Sequence, residues 1–157
     1  MLVVLKNIKR IARLSEETEC FSADVWVDGV KAGTVANHGH GGSNIYEPTA
    51  LWQKLEDHAK TLPTQRVYGM DLQPDADSIV GDAYVKAQTE IEMARMMARK
   101  IVFVRDGTLR SIKCPDQATR DRWLKDPNLS QTVKGGTVLN LLPMEEVVSA
   151  VLALSPT

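Results

Sequence analysis

At 157 residues, 43% apolar and 25% charged, the chain has room for one domain or two very small ones, and its composition is that of a folded globular protein. Nineteen basic residues stand against twenty acidic ones, and the net charge of −1 argues against a domain built to grip duplex DNA. No window approaches the length of a membrane span, nothing resembles a signal peptide, and Cys20 and Cys114 lie far apart in no CxxC pair, so a cytosolic protein with reduced thiols is expected.

Aromatic residues make up only 5%, so the core must rest on Val, Leu, Ile, Ala and Met. Six methionines predict loosely specified packing or an adhesive partner surface.

"LKNIKRIARL" alternates basic with apolar residues and predicts a first antiparallel strand, joined through the turn "SEETE" to a hairpin. "CFSADVWVDGVKAGTVANHG" predicts that hairpin, turning at Asp28-Gly29. Pairing outward sets Val27 against Val30, Val25 against Ala32, Ala23 against Thr34 and Phe21 against Ala36. That face is apolar, and Asp24, Trp26 and Lys31 occupy the other. "EPTALWQKLEDHAKTLP" predicts a helix with Pro48 first and Leu51, Leu55, Ala59 and Leu62 on one stripe. Residues 64–80 show no clean period, with a short strand expected at Val67-Tyr68. Residues 81–99 predict a helix burying Val85, Ile91, Ala94 and Met97 or Ala98.

A second hairpin is expected at Asp106-Gly107, followed by a short helix in "PDQATRDRWLKD". "GGTVLNLL" then predicts a strand. A last helix would start at Pro143 with Met144, Val147, Val148, Val151 and Leu152 on one face. The expected architecture is α+β. Residues 1–63 form an N-terminal antiparallel sheet plus helix, 64–99 an irregular and helical connector, and 100–157 a compact ββαβα unit.

The stretch "NHGHGGSN" is the candidate site. Gly39, Gly41 and Gly42 let backbone N–H groups converge into an anion nest, and a helix starting soon after would add a favourable dipole. Ser43 and Asn44 can donate further hydrogen bonds, Tyr46 can stack on a base or sugar, and His38 and His40 can contact a phosphate. The glycine spacing is neither that of a Walker A loop nor GxGxxG, and a ligand-free connector is the competing reading.

A metal-dependent phosphodiester hydrolase is the alternative, with His38, His40, His58 and Asp71 in the site, although no HExxH or CxxC is present. Asp71, Asp75 and Asp77 read better as a solvated acidic loop than as a magnesium site. No catalytic residue, resident metal or cofactor is assigned. A third reading is a homo-oligomeric interaction module joined through the Met-rich helix 81–99.

"ETECFSADVWVDGVKAGTVANHGHGGSNIYEP", "RKIVFVRDG" and "TVLNLLPMEE" resemble a group of small proteins carried by bacteriophages and other bacterial mobile elements. The resemblance assigns no catalytic residue. It implies a non-enzymatic counter-defence protein of the host cytosol, anti-CRISPR-like or signal-sequestering, that masks a defence protein complex or binds a nucleotide-type anionic ligand. The residue types of the glycine loop, and not the resemblance, put the binding surface at His38, Gly39, His40, Gly41, Gly42, Ser43, Asn44 and Tyr46. Neither a membrane nor direct nucleic-acid binding is expected.

Overall fold

The structure, a computed structural model, describes residues 1–154. The fold is α+β, with antiparallel sheets of four, two and three strands. It divides into two compact units, Met1–Ala87 and a second beginning at Gln88. The boundary falls inside a helix, so the expected separate connector over residues 64–99 is not a unit of its own.

The first unit opens with a sheet of β1 (Val3–Arg10), β2 (Cys20–Val27), β3 (Val30–His38) and β4 (Ile45–Glu47), paired in that order. Asp28 and Gly29 turn the β2–β3 hairpin with φ of 49° and 83°, the paired left-handed geometry that a two-residue turn requires. Val27 faces Val30 as expected, but a bulge follows. Trp26 faces Lys31 and Val25 faces Gly33, so Ala32 is the extra residue.

Beyond the bulge Ala23 faces Val35 and Phe21 faces Asn37, replacing the expected Thr34 and Ala36. With a side-chain period of two, this one-residue slip exchanges the faces. Val35 is buried and Thr34 is exposed. The slip also carries Asn37 inward, where only 7% of it stays exposed.

α1 (Thr49–Ala59) follows, with Pro48 one place before the helix. Its buried Leu51 and Leu55 pack against Leu5, Phe21, Val25 and Val35 of the sheet in one apolar cluster. The chain then forms a hairpin of β5 (Gln65–Val67) and β6 (Met70–Leu72), turning at Tyr68-Gly69. Only Val67 of the expected Val67-Tyr68 strand is extended, because Tyr68 takes φ of 49° in the turn.

α2 (Ala76–Met97) starts five residues before the expected helix. Its first half buries Ala76, Val80 and Ala83 against the first unit's core. In its second half Met93 is buried, with Met96 and Met97 partly buried, in a cluster of the second unit. The expected stripe is overturned: Val85, Ile91 and Ala94 are exposed. The two halves of α2 pack on different clusters, so no single stripe runs the length of the helix. Met93 therefore belongs to a core, with Met96 and Met97 packed against it.

The second unit contains β7 (Lys100–Arg105), β8 (Thr108–Lys113), α3 (Gln117–Leu124), α4 (Leu129–Thr132), β9 (Thr137–Val138) and α5 (Met144–Leu152). β7 is the central strand, flanked by β8 and β9. Ile101 and Phe103 join Leu129 and Val133 in one cluster, and Val102 joins Met93, Leu139 and Val147 in another. Both faces of β7 are thus covered, which accounts for its unbroken apolar run.

The expected strand "GGTVLNLL" shrinks to β9, and Leu139–Leu141 form a 3-10 turn. Asn140 completes the β7 edge in its place. Its Oδ1 accepts from Val102 N–H at 2.7 Å, and its Nδ2 donates to the Lys100 carbonyl at 2.9 Å. A side-chain amide has the donor and acceptor of a peptide group, so it substitutes for two missing ladder bonds.

Cys20 and Cys114 are free and buried. No helix among the described residues is long and apolar enough to cross a membrane.

Candidate functional site

The glycine loop links β3 to β4, not a strand to a helix. Three strand residues and Pro48 separate it from α1, so α1 does not begin at the loop as expected.

Asn37 organises it. The bulge in β3 turns the Asn37 amide inward, where all its main bonding positions are filled. Oδ1 accepts from Thr18 Oγ1 at 2.6 Å and from Gly39 N–H at 2.9 Å. Nδ2 donates to the Gly42 carbonyl at 2.9 Å and to Asn44 Oδ1 at 3.0 Å. One buried side chain therefore fixes both ends of the loop and the turn before β2.

Gly39 supplies the second fixture. Its carbonyl accepts the N–H groups of Glu16, Glu17 and Thr18 at 3.0, 3.0 and 3.4 Å. Three successive N–H groups converge here as they would on an anion. The protein's own carbonyl oxygen occupies the position.

The N–H groups expected to form the nest are largely engaged as well. Gly39 N–H goes to Asn37, Gly41 N–H to Thr18 Oγ1 at 3.3 Å, and Asn44 N–H to Asp77 Oδ2 at 3.2 Å. Tyr46 is half-buried in β4 and donates its hydroxyl to Asp77 Oδ1 at 2.6 Å. Burial pushes the Tyr46 phenol up, and the bond to Asp77 pushes it further. A phenol so held is not free to stack on a base.

His38, His40, Gly41, Gly42 and Ser43 remain on the surface. His40 Nδ1 lies 3.2 Å from Glu16 Oε2. The loop is thus ringed by Glu16, Glu17 and Asp77, three carboxylates that oppose an incoming anion. The residues expected to bind a phosphate are close in space, but carboxylates surround them.

The expected hydrolase residues do not assemble. His58 sits half-buried at the border of α1. Asp71 pairs with Arg66 at 3.2 Å across the β5–β6 hairpin. Among the described residues no group of three or more His, Cys, Asp or Glu is placed to hold a metal ion.

The three clustered aspartates take three separate tasks. Asp71 makes that ion pair and Asp77 clamps the loop. Asp75 caps α2, its Oδ1 accepting Ser78 N–H at 2.7 Å and Ser78 Oγ at 2.6 Å. The Ser78 hydrogen bonds hold the Asp75 carboxyl below its ordinary range, with partial burial opposing them. A depressed carboxylate stabilises the fold above its unfolded pKa, and the contribution fades as pH falls through the folded value. Asp75→Ala is therefore expected to cost about 1 kcal/mol at neutral pH. Urea unfolding should show the gap from wild type closing below about pH 4.

The sequence reading missed Asn37, Thr18 and Asp77 as the determinants of this loop. The signal for Asn37 was its place at a strand end before a glycine run, where an amide can satisfy a turn's backbone. Comparison with protein-family models, with curated proteins and with solved structures finds no match to this chain.

Proposed function

We propose that this chain is a non-enzymatic binding protein of a bacteriophage or mobile element, acting in the bacterial cytosol by masking a protein complex of the host's defence. The observation that carries the reading is the β5–β6 hairpin. Tyr68 at its tip is 97% exposed and holds φ of 49°. Met70 and Leu72 beside it are 58% and 45% exposed.

A left-handed tyrosine costs about 1–2 kcal/mol relative to a residue suited to the turn. Asn or Asp would turn the chain there at lower cost. A strained and almost fully exposed tyrosine flanked by Met and by Arg66 has the composition of a protein-contact patch. The carboxylates around the glycine loop favour masking of a protein over capture of a nucleotide at that loop.

Tyr68→Asn tests this, because stability and function should move in opposite directions. Thermal unfolding should show a gain of about 0.5–1 kcal/mol. Plating of a defence-sensitive phage on a defended host expressing the variant should drop to the level without the protein. Full protection by Tyr68→Asn would remove the hairpin from the interface. Failure of the wild-type chain to protect against any defence system would remove the counter-defence reading itself.

A further inference from the structure

Within the second unit an open cleft of about 670 Å³ lies where the end of α2 meets β7 and where β8 leads into α3. Arg99, Lys100 and Lys113 line it, together with one carboxylate, Asp116. Lys100 and Lys113 are directly opposed partners in the β7–β8 ladder. Like charges facing each other across a ladder destabilise it. Among the described residues none of the three cations pairs with a carboxylate.

The neighbouring charges do not relieve them. Arg120 donates to the carbonyls of Met97 and Ala98 at 2.9 and 2.7 Å and pairs with Asp121 at 2.7 Å, which closes the end of α2. Asp116 caps α3, its Oδ1 accepting Thr119 N–H at 2.7 Å. The N-terminus of α3 is therefore already served, and the cleft's lining carries three cations against one carboxylate. The ladder sets two lysines opposite each other beside Arg99, and the cleft's one carboxylate, Asp116, is committed to the α3 cap.

We propose that this cleft binds a free phosphate-bearing small molecule of nucleotide size, its phosphate seated between Lys100, Lys113 and Arg99. A guanidinium offers a planar fork that bonds two phosphate oxygens, and ammonium groups add point charge beside it. The volume lies within the range of small-ligand sites. No aromatic side chain lines the cleft for base stacking along a strand. The chain's net charge of −1 also lacks the basic excess of a nucleic-acid track. These two features favour a free small molecule over a polynucleotide. The site is separate from the hairpin and the glycine loop, and it does not depend on the masking function.

The test is thermal unfolding and titration calorimetry in chloride buffer at fixed ionic strength, with inorganic phosphate, pyrophosphate and AMP as probes. Wild type should melt higher with AMP and with pyrophosphate. Lys113→Gln removes one of the facing charges, so without any probe it should melt higher than wild type. The same variant should lose about tenfold or more in probe affinity. Arg99→Gln lies outside the opposed pair and should lose probe binding with little change in its own melting. A purely structural role for these lysines predicts that substitution leaves probe response intact, and that result overturns the site. Absence of any probe effect on wild type overturns it too. AMP binding no more tightly than inorganic phosphate overturns the nucleotide-sized ligand. Displacement of AMP by a single-stranded oligonucleotide that binds more tightly overturns the free small molecule.

Discussion

Asn37→Ala is expected to destabilise the first unit by about 3 kcal/mol, a large loss for a residue in a glycine-rich loop. Four hydrogen bonds end on this amide, and the residue is only 7% exposed. Each such bond contributes about 0.5–1.5 kcal/mol net, and a partner left buried without a replacement costs more. Truncation also frees the turn at residues 16–18 from one of its attachments to the loop.

Asn37→Asp separates shape from bonding. It keeps the acceptor toward Thr18 and Gly39. It also sets a carboxylate oxygen against the Gly42 carbonyl and Asn44 Oδ1, both acceptors. At neutral pH the loss should match that of the alanine variant. Repulsion raises this carboxyl's folded pKa, so stability should return partly as pH falls and the acid donates a proton to one of those oxygens. Urea midpoints across pH measure both variants. A loss under 1 kcal/mol for Asn37→Ala would show that water replaces the amide and that the loop is not held as described.

The same residue shows where the sequence was legible and where it was not. Asp28-Gly29 and Asp106-Gly107 announce their turns, because both residues tolerate left-handed backbone. Tyr68-Gly69 makes a third turn of the same hand, with φ of 49° and 81°. It was hidden because nothing local in tyrosine favours that geometry. The α1 stripe was readable because a single helix face meets a single core. The α2 stripe was not, since its two halves serve two clusters and the pattern changes along the helix.

The bulge at Ala32 decided the site. Alternation alone predicts an unbroken register and places Thr34 and Ala36 inward. One extra residue exchanges them for Val35 and Asn37, and the inward Asn37 then turns a glycine run into a fixed structure. The residue types of a phosphate cradle were all visible in the sequence. The occupant of the convergent N–H groups was not, because it is a carbonyl of the same loop meeting a turn more than twenty residues earlier in the chain.

Substituting the loop glycines one by one should give a steep order, and that order distinguishes a structural loop from a binding one. Gly39→Ala is expected to cost about 3–5 kcal/mol. Gly39 holds φ of 86°, and a Cβ there would stand inside the Leu14 carbonyl oxygen and 3.0 Å from Cys20 Cβ. The Leu14 oxygen is backbone and cannot swing aside. Relief would have to move the turn whose three N–H groups meet the Gly39 carbonyl.

Gly41 also has a left-handed φ, of 82°, but its Cβ would meet only the Glu17 side chain, most closely its flexible carboxylate. Gly41→Ala should therefore cost about 1–2 kcal/mol, mostly backbone strain. Gly42 has nothing within 4 Å of its added Cβ and no left-handed φ, so Gly42→Ala should stay within about 0.5 kcal/mol of wild type. Chemical denaturation of the three variants measures the series. A loop serving as a phosphate cradle would reverse the functional order, since the exposed glycines would then admit the ligand. Gly42→Ala that folds normally and protects a phage as well as wild type would leave the loop as scaffold. Gly42→Ala that folds normally and fails to protect would return the loop to the binding surface.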